Sequence, residues 1–194
     1  MCGVNNIQEF GAQECANFFW ACGKMLWKNE TLIEALSLHA SQMAFELLPQ
    51  HLGNIAWCMA KMKHVDMPLI DAITAKALQS IPESDQQEIS NLVWAFAKMS
   101  TKNSRLMDVV AGCSIASKKF NAQGLANLAW SCATMQFSPQ PLLQDIGEES
   151  LKILHSFTEQ NLANMAWAVA KLLWREASPL FSAISALALR KMPE

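Results

Sequence analysis

Four lysines stand at one repeated position, each four residues after a tryptophan, and a row of cations could hold a phosphate backbone. The tryptophan ring could stack on a nucleobase. Glutamine seven residues before each tryptophan and asparagine three residues before it add amides that can pair with base edges. The tryptophans lie 37, 37, 36 and 37 residues apart, and Thr134 replaces the lysine once. The residues are Lys24, Lys61, Lys98 and Lys171; Trp20, Trp57, Trp94, Trp130 and Trp167; Gln13, Gln50, Gln87, Gln123 and Gln160; Asn17, Asn54, Asn91, Asn127 and Asn164.

The repeat length indicates which elements position these side chains. Periods of 20–50 residues are typical of stacked structural units. No alternating strand pattern interrupts the helical spacing, so we predict an all-α fold, a right-handed α-solenoid of about five helical hairpins that forms a single array over residues 1–194. The repeats are predicted at 10–46, 47–83, 84–119, 120–156 and 157–194.

Local signals predict where the two helices of each repeat begin. Asp85, Asn121 and Thr158 stand two residues before the glutamine, where an N-cap is expected, and Pro49 falls at the first helical position. The second helix of each repeat is predicted to begin near Leu32, Leu69, Leu106, Leu142 and Leu180.

The first helix of each repeat is amphipathic. In the second repeat, Gln50, Asn54 and Lys61 share the side opposite the apolar residues, with Trp57 at the border. Stacking repeats in register would align these side chains in one exposed polar stripe. This stripe is the feature that could carry function.

Each residue type of the stripe also has a structural interpretation. The tryptophans recur regardless of their surroundings, which favours rings wedged between neighbouring repeats. The glutamines and asparagines never vary, which favours hydrogen bonds to inter-helix turns over base reading, since identical amides would select identical bases. The lysines fit a phosphate backbone and the negative end of the helix dipole equally well.

Variable positions could select between bases. The residue after each glutamine differs between repeats, except that glutamate occurs twice, and it borders the stripe. If each repeat reads one nucleotide, this is the candidate reading position. Ordinary surface variation explains the same pattern and is favoured. The candidate RNA-reading residues are Glu14, His51, Glu88, Gly124 and Asn161.

Composition limits the classes of protein that fit. Hydrophobic residues make up 52% and charged residues 16%, which provides a core, and the net charge of −2 argues against a strongly basic nucleic-acid binder. The six cysteines form no CxxC pair and are predicted to be small core residues in a reducing compartment rather than a disulfide framework. They are Cys2, Cys15, Cys22, Cys58, Cys113 and Cys132.

No arrangement for catalysis or metal binding is visible in the sequence. The four histidines do not share a repeat position, and no HExxH, GxSxG or phosphate-loop motif occurs. We therefore expect no enzyme activity, no cofactor and no metal. No apolar run approaches the length of a membrane span, so no membrane partner is expected.

The segment 157–172, FTEQNLANMAWAVAKL, resembles the octotricopeptide and heptatricopeptide repeat proteins, and QGLANLAW at 123–130 is a second close copy. The resemblance extends over all five repeats. It implies sequence-selective binding of single-stranded RNA in a mitochondrion or chloroplast, for RNA processing, stabilisation or translation. It also implies that the variable first-helix residues are the base readers. No RAP domain is visible, so the resemblance implies no enzyme activity.

The leading hypothesis is therefore an array that binds single-stranded RNA, with possible protein partners and no DNA. The outer repeats lack a polar outer face, so we expect a fragment of a longer array. The alternative hypothesis is a protein-interaction scaffold of the armadillo or tetratricopeptide type, which the near-neutral charge favours.

Overall fold

The described residues form an all-helical protein. A computed structural model describes residues 7–99, 104–113, 115 and 118–191, and this part contains no strand. The predicted fold class is confirmed. The α-helices are α1 Ala12–Met25, α2 Glu30–Gln42, α3 Pro49–Met62, α4 Met67–Ser80, α5 Gln86–Lys98, α6 Ser104–Ala111, α7 Ala122–Met135, α8 Gln140–Lys152, α9 Glu159–Lys171 and α10 Ser178–Lys191, with short 3-10 helices at Ile7–Glu9, Ala44–Glu46, Leu154–Ser156 and Arg175–Ala177.

The chain divides into two compact units, Met1–Ser84 and Asp85–Glu194, which we call the N-terminal unit and the C-terminal unit. In the N-terminal unit, α1 packs on α3 and α2 packs on α4. In the C-terminal unit, α5 packs on α7, α7 packs on α9, and α8 contacts α10. First helices therefore pack on first helices and second helices on second helices, which is the arrangement of a helical solenoid. The hand of the stack and a single array over the whole chain stay predictions.

Side-chain caps set the helix starts. Asp85, Asn121 and Thr158 are N-caps as predicted, and Pro49 is the first residue of α3. Each second helix begins two residues earlier than the leucine that was predicted to mark it. In α2 and α4 the reason is a cap that the spacing did not reveal: the Leu32 N–H donates to Asn29 Oδ1 at 3.0 Å and the Leu69 N–H donates to Asp66 Oδ1 at 2.8 Å.

The first helices end in a repeated Schellman motif. The residue six positions after the tryptophan has a left-handed backbone, although none of these residues is glycine. The next N–H donates across the turn, for example from Trp174 to the Val169 oxygen at 3.1 Å. The left-handed residues are Leu26, Lys63, Gln136 and Leu173, with φ from 50° to 55°. The same turn thus directs the chain from first helix to second helix in four repeats.

This turn predicts a stabilising substitution. Leu173 is 80% exposed, so Leu173→Gly removes little packing and relieves a left-handed strain of about 1–2 kcal/mol. Glycine loses more backbone entropy, about 0.5–1 kcal/mol, so we expect a net gain in unfolding free energy of roughly 0.5–1 kcal/mol. Urea denaturation followed by circular dichroism measures it. The control is Leu189→Gly, at an exposed site inside α10, which should lose about 1 kcal/mol. A loss at both sites would contradict the strain.

Four of the five cysteines that the structure describes lie in the core. Cys15, Cys22, Cys58 and Cys132 are buried free thiols, and Cys113 is half-buried. Burial raises the pKa of Cys15 to about 11 and that of Cys58 to about 12, so both thiols stay protonated and unreactive at neutral pH. Cys2 lies outside the described residues. The four buried thiols therefore act as small apolar core groups.

Candidate nucleic-acid interface

The polar stripe is exposed on the first helices. All five glutamines and all four lysines of the stripe are exposed, and the asparagines are exposed or half-buried. Trp20 and Trp167 are 46% and 45% exposed, whereas the rings of Trp57, Trp94 and Trp130 are half-buried. The stripe therefore presents amides, ammonium groups and ring edges to solvent.

Lysine and tryptophan meet on adjacent helices of the N-terminal unit. The Lys24 ammonium lies 5.9 Å from the centre of the Trp20 ring on α1, and the Lys61 ammonium lies 5.6 Å from the Trp57 ring on α3. Both are cation–π distances, and the residues are one helical turn apart. Because α1 packs on α3, two such pairs lie on neighbouring helices. Each pair offers a positive charge beside an aromatic face.

The tryptophans also contact the neighbouring repeat. In the C-terminal unit, the Trp130 and Trp167 ring centres are 6.2 Å apart and tilted by 30°. In the N-terminal unit, Trp57 lies against α1 so closely that a Cβ added at Gly23 would be 3.0 Å from its ring. The repeats therefore pack in register within each unit, and equivalent side chains lie side by side.

Most of the stripe amides make no hydrogen bond within the described part of the chain. Gln13 is different: its Nε2 donates to Asn17 Oδ1 at 2.9 Å, and its Oε1 lies 3.1 Å from His51 Nε2. Within the described residues, no glutamine or asparagine of the stripe makes the predicted tie to an inter-helix turn, since the bonds of Gln13 go to side chains on α1 and α3. The other stripe amides are available to a ligand or to water.

Amides also line a small polar cleft between α5 and α7. Its volume is about 120 Å³. Gln86 Oε1 accepts from the Asn121 N–H at 3.5 Å across the cleft. No role was predicted for Gln86 from the sequence, although this amide stands directly before Gln87 at the start of α5. The lining residues are Gln86, Gln87, Ser90, Asn91, Asn121, Gln123 and Gly124.

The candidate reading residues all occupy the third position of a first helix, where side chains fold back onto the helix start. Glu88 Oε2 accepts from the Asp85 N–H at 2.8 Å, and Asn161 Oδ1 accepts from the Thr158 N–H at 3.1 Å. Both pairs are capping boxes. The Glu14 carboxylate lies next to Gly11, where an added Cβ would be 2.8 Å from Glu14 Oε2. Glu88 and Asn161, two of the predicted readers, are thus the capping-box partners of Asp85 and Thr158.

The other two candidate readers, His51 and Gly124, are buried, as is Asn161. The Gly124 N–H donates to Asn121 Oδ1 at 2.8 Å, and a Cβ at Gly124 would be 2.9 Å from Gln86 Oε1. His51 Nδ1 accepts from the Leu48 N–H at 3.2 Å, so its Nε2–H donates to Gln13 Oε1. The variable position therefore serves the helix starts, and its use as a base reader stays a prediction.

The buried His51 makes stability depend on pH. Burial lowers the pKa of this imidazole from its ordinary value, while the Glu14 carboxylate acts in the opposite direction. The unfolded chain then binds a proton more readily than the folded chain, so His51 contributes stability above its unfolded pKa of about 6.5 that is lost as pH falls. We expect His51→Gln, which keeps a capping side chain, to weaken the loss of unfolding free energy between neutral and mildly acid pH.

Urea titrations across this pH range measure the effect of His51→Gln. The control is His155→Gln, at an exposed histidine, which should leave the pH dependence as in the parent chain. An identical pH dependence for His51→Gln and the parent would contradict the buried neutral ring.

Metal-binding groups and membrane-spanning helices are both absent from the described residues. Within the described residues, no group of three or more His, Cys, Asp or Glu side chains could hold a metal ion. None of the helices described is both long and apolar enough to span a membrane.

Comparison with known proteins identifies the family. The family model of RESC6, described as RNA-editing substrate-binding complex 6 protein, matches residues 3–177. No curated protein matches the chain. The match corrects the predicted family, because it is RESC6 and not an octotricopeptide or RAP-protein family. The family description confirms the predicted RNA-related function in general terms. The chain belongs to the RESC6 family of RNA-editing substrate-binding complex proteins.

Proposed function

We propose that this protein binds single-stranded RNA along the exposed face of its first helices, as a subunit of an RNA-editing substrate-binding complex. The family name supports a role with RNA and with protein partners. The geometry of the stripe supports a single strand, because its rings and ammonium groups suit unpaired bases and their phosphates.

The pairing of Lys24 with Trp20 and of Lys61 with Trp57 carries the proposal. A phosphate can contact the ammonium group while a base lies against the exposed ring edge, and the same contact recurs on the next helix. Trp20 is nearly half exposed, so part of its surface is open to a base. A chain with net charge −2 can still bind a polyanion through such a local cationic row.

The amides adapt the site to many sequences. The invariant glutamines and asparagines, unpaired at most positions, can donate to and accept from any base edge. Identical amides in every repeat cannot select different bases, and the variable third-position residues are engaged at the helix starts. We therefore propose broad rather than strict sequence preference for the described repeats.

The proposal includes no enzyme activity and no cofactor, since binding accounts for every recurring residue of the stripe. A location in a mitochondrion or chloroplast was implied by the resemblance that the family match corrects, and it stays a prediction.

Fluorescence anisotropy with labelled RNA tests the proposed function. We expect a single-stranded oligonucleotide to bind more tightly than the same sequence in a duplex. Affinity should fall with salt by roughly 0.7 logarithmic units per logarithmic unit of salt for each phosphate contacted. Intrinsic tryptophan fluorescence should change on binding, because Trp20 lies at the site. Equal binding of single strand and duplex, or affinity that does not change with salt, would reject the proposal.

The near-neutral charge favours a second function, a protein scaffold that uses the same stripe. An extended peptide backbone could pair with the free amides. Under that function, unlabelled RNA would not compete with a peptide ligand, and removing the lysines would leave peptide binding unchanged.

A further inference from the structure

The polar cleft between α5 and α7 lacks a side chain that is present at the equivalent place between α1 and α3. There, His51 of α3 is buried, and its Nε2–H donates to Gln13 Oε1 of α1 at 3.1 Å. On α5 and α7 the same two positions are held by Gln87 and Gly124, and both residues line the cleft. Because Gly124 has no side chain, no ring of α7 meets Gln87 as His51 meets Gln13.

Three positions around the cleft carry residue types that occur at none of the equivalent positions in the other repeats. Glycine stands where every other repeat has a larger side chain, and an amide and a hydroxyl stand where no other repeat has them. The interface between α5 and α7 therefore combines a missing side chain with two additional polar groups. The equivalents are Glu14, His51, Glu88 and Asn161 for Gly124; Ala12, Pro49, Ala122 and Glu159 for Gln86; and Ala16, Gly53, Ala126 and Ala163 for Ser90.

The surrounding residues keep this space open. An added Cβ at Gly124 would be 2.9 Å from Gln86 Oε1 and 3.0 Å from Cδ1 of the Phe120 ring, so position 124 accepts a side chain only if its neighbours move. Gln86 does not fill the cleft, whose volume remains about 120 Å³. A water molecule takes about 30 Å³ in the liquid, so the cleft can hold a larger group than one water.

The cleft offers uncharged hydrogen-bonding groups. Among the residues that the structure describes, none that lines it is charged. Ser90 is only 3% exposed, and its hydroxyl donates to the Gln87 backbone oxygen at 3.2 Å, which leaves the hydroxyl oxygen able to accept. A phosphate would require a cation, whereas amides and a hydroxyl match the donors and acceptors on the edge of a base.

We propose that the α5–α7 cleft binds the edge of one RNA base, an inference that rests on the proposed RNA binding. The base takes the place that the His51 ring has between α1 and α3, and one of its N–H groups donates to Gln87 Oε1. Gln87, Asn91 and Gln123 line the cleft and also belong to the polar stripe, so a strand on the stripe can insert a base here. The cleft gives one position of the strand a base preference, while the remaining stripe contacts tolerate any base.

Affinities for strands of a single base type test this subsite. Adenylate, cytidylate and uridylate strands of equal length can be compared by fluorescence anisotropy. For the parent chain we expect at least about a fivefold difference between the tightest and the weakest strand, as one amide pair with a base edge provides.

The double variant Gln86→Ala with Ser90→Ala removes two polar groups from the cleft. Alanine occupies both positions in other repeats, for example as Ala12 and Ala16, so this variant should fold. We expect the difference between strands to fall below about twofold, as for contacts that tolerate any base, with unchanged affinity for the weakest strand.

A second variant fills the cleft. Gly124→His with Gln86→Ala places histidine and alanine at the positions of His51 and Ala12, and it should reduce the difference between strands in the same way. If it loses the helical circular dichroism of the parent, the double alanine variant alone decides.

A matched control removes the same residue types away from the first helices. Gln144→Ala with Ser185→Ala changes exposed residues on α8 and α10, and it should keep the parent's difference between strands. A smaller difference in the parent, or a parent-like difference in a folded cleft variant, would overturn the subsite and leave the proposed RNA binding intact. A parent chain that binds none of the strands would reject the proposed function, and the subsite with it.

Discussion

Replacing Lys24 and Lys61 with alanine should weaken single-stranded RNA binding about fifteenfold at physiological salt, because each lost phosphate contact costs about fourfold under those conditions. Both ammonium groups are exposed, and each lies within 6 Å of a tryptophan ring on packed neighbouring helices. The loss should be similar for different RNA sequences, since phosphate contacts carry no sequence information. Anisotropy titrations over a salt series should show the slope reduced by about 1.4.

A charge-matched double variant separates a local effect from a change in net charge. Lys76 and Lys152 lie on the second helices α4 and α8, and their replacement with alanine removes the same total charge. This variant should bind RNA within about twofold of the parent, as expected for charges that lie away from the bound strand. Equal losses in both double variants would mean that net charge, and not the lysines of the stripe, drives binding.

Much of the fold could be predicted because its signals are local. Asp85, Asn121 and Thr158 identify helix starts through short-range hydrogen bonds that depend on residue type and position alone. The regular tryptophan spacing predicts stacked hairpins for the same reason. The second-helix starts were two residues late because leucine spacing marks the apolar side of a helix and not its cap, which Asn29 and Asp66 provide.

The roles of the site residues were harder to predict, because they depend on contacts between repeats. His51 is an unusual capping residue, and nothing in its own repeat indicates that Gln13 of the preceding repeat accepts its Nε2 proton. Burial of Gly124 likewise depends on Gln86 in the neighbouring repeat. Variation at a position therefore does not by itself indicate ligand contact, since different side chains can serve the same helix start.

The error in family has a physical origin as well. The segment 157–172 consists of apolar, small and amide residues at the positions that any stacked helical hairpin needs. Small residues such as Ala126 and Ala129 permit close helix packing, and any stacked helical array needs them at such positions. The resemblance therefore reflected the shared architecture and not the family. The family match over residues 3–177 draws on the whole pattern and gives RESC6.

Gly23→Ala should destabilise the protein, although alanine occupies this position in the other four repeats. An added Cβ would be 2.9 Å from the backbone Cα of Cys58 and 3.1 Å from its Cβ, so α3 would have to move away from α1. Such overpacking costs about 1–3 kcal/mol, and the helix propensity of alanine returns about 1 kcal/mol. We expect a net loss of roughly 1 kcal/mol, and at most about 2 kcal/mol, in unfolding free energy by urea denaturation.

Two controls distinguish close packing from a general effect of alanine. Gly112→Ala places its Cβ no nearer than 3.4 Å to Val109 O at an exposed site, and it should change stability by less than about 0.5 kcal/mol. Ala133→Gly, at the equivalent buried position of α7, should lose about 1 kcal/mol or more. Opposite substitutions at equivalent positions would then both destabilise, because each helix pair has its own separation. A gain in stability for Gly23→Ala would contradict this close contact, because it would mean that a Cβ at Gly23 lies further than 2.9 Å from the Cα of Cys58.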